Sequence, residues 1–225
     1  TGSHARRDRL TTGMKDRAVV VFVHGLWMPG FELAWLRAQV RKAGFETRQF
    51  HYSTVRHDVA VNCEDLFRFA RALEADELHF VGYSLGGVVA LEMLARFHAE
   101  LPPGRIVLVG SPVRGSGAAK KLTGSRWGRW LLGQAARRGL DEDHVGCWHA
   151  PRELGVIAGT RSIGMGRVMA ELSAPNDGTV ALEETVLESA NDCVDFPLTH
   201  VTLMFSKRVA GAIVGFLRTG AFKPQ

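Results

Sequence analysis

Residues 78 to 97, LHFVGYSLGGVVALEMLARF, restrict the possible fold more than any other stretch of the chain. An apolar strand pattern runs into GYSLGG, and an apolar helix pattern follows at once. A strand that turns into a helix over so few residues needs a tight, strained turn, and Ser84 sits on that turn. Gly82 and Gly86 flank it two residues to either side, where the missing Cβ lets the backbones pass closely. A G-x-S-x-G string alone occurs by chance in many proteins, but one placed between a strand and a helix is far more specific. Ser84 is the first candidate for a catalytic residue.

A serine hydroxyl is a weak nucleophile at neutral pH and needs a base, an acid that orients the base, and a site for an oxyanion. Upstream, AVVVFVHGLW (residues 18 to 27) is a buried-strand run ending in His24-Gly25. Downstream, Asp177 lies in PNDGTVALEET and His200 in DFPLTHVTLMFSKRVAGAIVGFL, giving the chain order Ser, Asp, His. On these residues the chain resembles the α/β-hydrolase superfamily, specifically its small lipase and esterase members, over roughly residues 18 to 219. The resemblance implies that Ser84, Asp177 and His200 form a triad and that the loop after His24-Gly25 donates an oxyanion N–H. It further implies an oxyanion hole made by the amides of Leu26 and Leu85, and an acyl-enzyme mechanism that uses no cofactor.

Other residues compete for these roles. Of the nine histidines, His4 lies in the N-terminal extension, and His51, His57, His79 and His98 fall on strand or helix patterns where a hydrogen-bonded or solvated role suffices. His24 belongs to the oxyanion loop. Only His200 follows the last strand signal and precedes the last helix. For the acid, Asp192 and Asp195 are nearer to His200 in sequence, but they fit the last strand or its edges. Asp177 instead opens an Asn-Asp-Gly turn between the strand LGVIAG and a strand expected near 184 to 190.

The remaining pattern alternates strands with helices. FELAWLRAQVRKAG (31 to 44) has amphipathic helical spacing with Gly44 as its stop, FETRQFHY is a strand, and residues 58 to 75 form a helix burying Val61, Leu66, Phe69 and Leu73. After the Ser84 helix come strands at 105 to 112 and 154 to 160, and a final helix at about 204 to 218. The expectation is an α/β fold with a compact, mostly parallel sheet of about six strands and helices on both faces. The strand at 18 to 24 already leads to the oxyanion loop, so the two antiparallel strands that often precede it in larger hydrolases have no room.

An insertion at 113–151 separates two of these strands and is expected to shape the pocket as a short cap. Trp127, Trp130 and Leu131 fall there at helical spacing among Lys120, Lys121, Arg126 and Arg129. That stripe reads as an acyl-binding wall or a surface for transient lipid contact, or else as a helix docked on its own core. Trp27, next after Leu26, is a further candidate for substrate binding. Asp141, Asp143, His144, Cys147 and His149 lie close together but lack a recognised ligand spacing, so no metal is expected. The Gly-rich stretch at 110 to 117 has neither GK[ST] nor GxGxxG and reads as a strand exit.

Composition bounds the rest. A chain of 225 residues suits one α/β domain, here 18–225, preceded by an extension at 1–17 whose Thr1-Gly2-Ser3-His4 start reads as an expression scar. The net charge of +5 favours approach to anionic surfaces without implying nucleic-acid binding. Cys63, Cys147 and Cys193 cannot all pair within the chain, which favours a reducing, cytoplasmic compartment, and no apolar run has transmembrane length. The expected activity is a serine hydrolase cleaving small carboxylic esters with an apolar acyl or alcohol group. The alternatives are an acyltransferase or amidase with the same triad, or a non-catalytic hydrolase-fold binder, and reaction with a fluorophosphonate separates the last from the rest.

Overall fold

The strand segments AVVVFV, IVLV and LGVIAG are apolar along their whole length, so they can only be buried on both faces, as in a parallel sheet covered by helices. The computed structural model describes residues 17–54, 57, 59–113, 148, 150–162 and 174–222. It contains six parallel strands: β1 (Ala18–Val23), β2 (Glu46–Phe50), β3 (Glu77–Tyr83), β4 (Ile106–Val109), β5 (Leu154–Gly159) and β6 (Asp192–Phe196). They lie in the order β2-β1-β3-β4-β5-β6, so the chain steps from β1 to β2 on one side, crosses back, and continues outward from β3. The carboxyl ends of β1 and β3 therefore meet where the strand order reverses, the usual ligand position in such sheets.

Helices α1 (Ala34–Lys42) and α6 (Lys207–Thr219) cover one face, packing Leu36, Val40, Ile213 and Phe216 against Val20, Phe22, Val81 and Val107. On the other face lie α2 (Val59–Arg71) and α3 (Leu85–Phe97), which pack Cys63, Leu66, Val89 and Met93 against Val19, Val21, Phe80 and Ile106. Two single-turn helices, α4 (Leu182–Thr185) and α5 (His200–Leu203), flank β6. Each fully buried Val, Leu, Ile, Phe or Met contributes about 1.5–3 kcal/mol, so these two apolar layers hold the strand ends that carry the site.

Several expectations change. Residues 184 to 190 form no strand: Leu182–Thr185 is helical and the last strand is Asp192–Phe196. The alternating polar pattern DCVDF marks β6 as a sheet edge, where charge is tolerated and an apolar run is not required. Helix α2 turns Val59, Asn62, Cys63, Leu66 and Ala70 to the core. Phe69 and Leu73 are only partly buried beside it, and Val61 lies off the buried face. The expected helix at 31 to 44 begins as a 3-10 turn, Phe31–Leu33, before α1, and His200 heads its own turn of helix ahead of α6. The extension at 1–16, most of the insertion at 113–151 with Trp127, Trp130 and the Asp141–His149 cluster, and Cys147 lie outside the described residues. Cys63 and Cys193 are both free thiols.

Candidate active site

Ser84 stands between β3 and α3 with φ 53° and ψ −125°, a backbone conformation rare for any residue but glycine. Such strain costs roughly 1–3 kcal/mol and persists only where the surroundings enforce it. They do so closely here. A methyl group at Gly86 would lie 2.1 Å from the Val23 carbonyl oxygen, and one at Gly82 would lie 2.3 Å from the Gly87 Cα. The Ser84 amide donates to Val109 O at 2.9 Å, tying the turn to β4. Leu85 is the first residue of α3, and first-turn amides of a helix have no acceptor within it, so that end of α3 offers N–H groups and positive dipole beside Ser84.

Asp177 and His200 come together after β5 and β6. His200 Nδ1 lies 2.6 Å from Asp177 Oδ2, and both side chains are buried. The other oxygen, Asp177 Oδ1, accepts the Thr179 and Val180 amides at 2.9 and 2.7 Å, while the His200 amide donates to Asp177 O at 2.9 Å. A carboxylate held this way has one oxygen left for the imidazole, so the ring carries its proton on Nδ1 and leaves Nε2 to act as a base. The competing carboxylates lie elsewhere. Asp192 accepts the Cys193 and Phe222 amides at 2.9 and 2.6 Å, and Asp195 is exposed on β6.

No hydrogen bond joins Ser84 Oγ to His200 among the described residues. Catalytic hydrogen bonds are often long before substrate binds and close in the complex. The Tyr83 ring lies 5.0 Å from the His200 ring and its hydroxyl donates to His200 O at 2.9 Å, which joins the residue before Ser84 directly to His200. Burial, aided by the Asp177 carboxylate, pushes the Tyr83 phenol well above its ordinary range and keeps it a donor.

The loop expected to bind the oxyanion follows β1. Gly25 abuts Ser84: a Cβ there would lie 3.1 Å from Ser84 Cβ. His24 is buried, and its Nδ1 donates to Gly25 O at 2.9 Å. Burial lowers its pKa and keeps the ring neutral. Leu26 is buried behind the loop, and Trp27 beyond it is 70 % exposed with φ 56°. Among the described residues, no group of three or more His, Cys, Asp or Glu side chains could hold a metal ion.

The sequence pattern left Tyr83, Tyr52 and the Thr179 and Val180 amides unassigned. The Asn-Asp-Gly signal did carry part of the last: Gly178 N donates to the Asn176 side chain at 3.0 Å and Thr179 N to that of Asp177, as Asx turns do. Tyr83 stands inside the GYSLG motif, but nothing local shows that its hydroxyl reaches a carbonyl 117 residues away.

The fold has counterparts of known structure. The chain is similar to the mature lipase BlEst2 of Bacillus licheniformis, with TM-score 0.65 and 20% identity over 92% of this chain and 93% of the lipase. The fold is that of the α/β-hydrolases. The propeptide form of the same lipase gives TM-score 0.66 and 21% identity over 93% of this chain, which spans 51% of that longer one. A metagenomic carboxyl esterase, MGS0156, is similar at TM-score 0.61 and 19% identity over 83% of this chain and 65% of the esterase. No family model matches the sequence, and no curated protein matches it by sequence. At these identities the likeness is one of fold: the chain shares a parallel sheet flanked by helices with lipases and esterases, while its substrate must be argued from its own residues. Among the described residues, no helix is long and apolar enough to cross a membrane.

Proposed function

We propose that the protein is a serine hydrolase that cleaves carboxylic esters through an acyl-enzyme on Ser84. The observation that carries this reading is the buried 2.6 Å His200–Asp177 pair, together with a buried serine in the strained turn between β3 and α3. A binding protein has no use for an imidazole held in one tautomer by a carboxylate whose other oxygen is already occupied by two amides. In the reaction, Ser84 Oγ attacks the ester carbonyl carbon as His200 Nε2 takes its proton, and Asp177 stabilises the resulting imidazolium. The carbonyl oxygen becomes an oxyanion facing the amides of Leu26 and Leu85, each such donor supplying about 3 kcal/mol to the transition state. His200 returns the proton to the departing alcohol. Water then repeats the sequence on the acyl-enzyme and frees the acid. No step calls on a cofactor.

The substrate is a small ester with an apolar acyl or alcohol group, for which exposed Trp27 and Phe31 beside the oxyanion loop supply an apolar rim. We extend that wall to Trp127 and Trp130 of the insertion. Replacing both by Ala is expected to lower kcat/KM for long-chain esters far more than for acetate esters, because each buried CH₂ is worth about 0.8 kcal/mol and an acetyl group barely reaches the wall. Equal losses on both substrates would leave these tryptophans a packing role. The reaction class is tested with a fluorophosphonate probe, which is expected to label the parent and not Ser84→Ala, with ester turnover lost in the same variant. Turnover retained in purified Ser84→Ala overturns the reading.

A further inference from the structure

One polar segment with no part in the chemistry above grips the oxyanion loop from the side. It is His51–Thr54, which leaves the edge strand β2 and lies distant in sequence from both Ser84 and His24. We propose that Tyr52 is a positioning residue, holding the Gly25–Leu26 peptide in its oxyanion-binding orientation through His24. The inference rests on the ester-hydrolase reading and adds to it a residue that never touches substrate.

The Tyr52 hydroxyl donates to His24 O at 2.7 Å, and its ring stacks on the His24 imidazole at 4.4 Å between centroids and 25° between planes. Behind it, Phe50 stacks on Tyr52 at 5.4 Å and 11°, which continues the stack into the core. The Tyr52 amide lies 3.5 Å from His24 Nε2, while His24 Nδ1 lies 2.9 Å from Gly25 O. Nδ1 faces a carbonyl and Nε2 faces an N–H, so the ring is the neutral tautomer with its proton on Nδ1.

Peptide planarity converts these contacts into direction. In a trans peptide the C=O and the following N–H point to opposite sides. Holding Gly25 O against the His24 ring therefore turns the Leu26 N–H away from that ring, and holding His24 O on the Tyr52 hydroxyl does the same for the Gly25 N–H. Gly25 itself abuts Ser84. The same segment secures the rest of the loop: Thr54 Oγ1 accepts the Trp27 amide at 3.1 Å, and His51 Nδ1 donates to Pro29 O at 2.8 Å. Trp27, at φ 56°, is a conformation that needs such external support.

Tyr52→Phe keeps the stack and removes only the hydroxyl, so it separates positioning from packing. For Tyr52→Phe, kcat on p-nitrophenyl acetate is expected to fall roughly ten- to a hundredfold, less than the roughly 10²–10³-fold cost of losing an oxyanion donor outright. KM is expected to stay within about twofold, because the loop binds the oxyanion and not the ground-state ester. The rate of inactivation by diethyl p-nitrophenyl phosphate, whose phosphoryl oxygen occupies the same hole, is expected to fall in step with kcat. Thr54→Val, which removes the Thr54 acceptor from the Trp27 amide while leaving the aromatic stack whole, is expected to show the same split more weakly, and it carries the test if Tyr52→Phe does not fold. An unchanged kcat in a folded variant, or a rise in KM with kcat preserved, overturns the inference. A silent Ser84→Ala beside a fully active Tyr52→Phe removes only this inference, whereas an active Ser84→Ala removes the reading on which it rests.

Discussion

Asp177→Asn is the substitution for which the structure dictates the outcome most closely. In the parent, Asp177 Oδ1 accepts the Thr179 and Val180 amides, and Oδ2 faces His200 Nδ1 at 2.6 Å. An asparagine has one acceptor oxygen and one donor NH₂, and the two backbone amides decide which goes where. Turning the NH₂ toward them would set donors against donors and leave buried groups unsatisfied at about 1–3 kcal/mol each, so the oxygen takes the Oδ1 place. The NH₂ then faces His200 Nδ1, which must accept, and the ring proton moves to Nε2. A ring protonated on Nε2 cannot take the proton of Ser84. The same tautomer error lowers kcat about 10⁴-fold in the best-studied serine triad, or about 5 kcal/mol of activation free energy, and that loss is expected here. Volume and hydrogen-bond count are conserved, so the melting temperature is expected to stay close to the parent's. The assay is kcat on p-nitrophenyl acetate with a melting curve, run beside Asp192→Asn and Asp195→Asn, which are expected to keep near-parental kcat. An Asp177→Asn enzyme with more than a tenth of the parental kcat, or an equal loss at Asp192, would refute the tautomer argument.

Two further predictions concern stability. Ser84 Oγ is buried and has no hydrogen-bond partner among the described residues, so Ser84→Ala is expected to raise stability by about 1 kcal/mol or more, roughly 2–4 °C in Tm. Ser84→Gly is expected to exceed it by relieving the strain at φ 53°, and a Tm below the parent's for both variants would contradict a strained, unsatisfied nucleophile. His79 is buried with Nδ1 accepting the Arg105 amide at 3.0 Å and Nε2 at 3.1 Å from Glu77, and burial lowers its pKa from 6.5 to about 4. The unfolded chain therefore binds a proton between about pH 6.5 and 4 that the folded chain refuses, so this contribution is complete above that window and declines as pH falls through it, by up to about 3 kcal/mol. His79→Asn, whose Oδ1 can take the Arg105 amide, is expected to flatten that part of a urea-derived stability profile, and an identical profile for the two proteins would count against it.

How far the sequence can be read depends on whether a residue's partners are local. The GYSLGG turn, the His24-Gly25 exit and the Asn-Asp-Gly loop each define themselves within a few residues, because tight turns need glycine and Asx-turn residues at set offsets. The five strands with apolar or half-buried runs were legible for the same reason. Strand β6 was not, because DCVDF lies at an edge where burial imposes no pattern, and the expected strand at 184 to 190 took its place. Tyr52 and Tyr83 were missed for a different reason. Each acts through one hydroxyl on one backbone carbonyl, 28 and 117 residues away, and such a bond leaves no periodicity to detect.

The strand order explains why these separate loops can form one site. Ser84 leaves β3 and Asp177 follows β5, with β4 lying between them in the sheet. The His200 imidazole held by Asp177 lies over the end of β4, where Gly110 follows the strand at φ 56°. A side chain there would place its Cβ 3.1 Å from both Cε1 and Nδ1 of His200. The next strand end repeats the device: a Cβ on Gly159, at the close of β5, would lie 2.7 Å from the Asp177 Cβ. The glycines that follow β4 and close β5 thus contribute no functional group, and their contribution is the space they leave. A larger residue at Gly110 would require the His200 ring to give by a few tenths of an ångström and would strain the backbone at φ 56°, so the His200–Asp177 geometry is expected to be sensitive to substitution of this glycine.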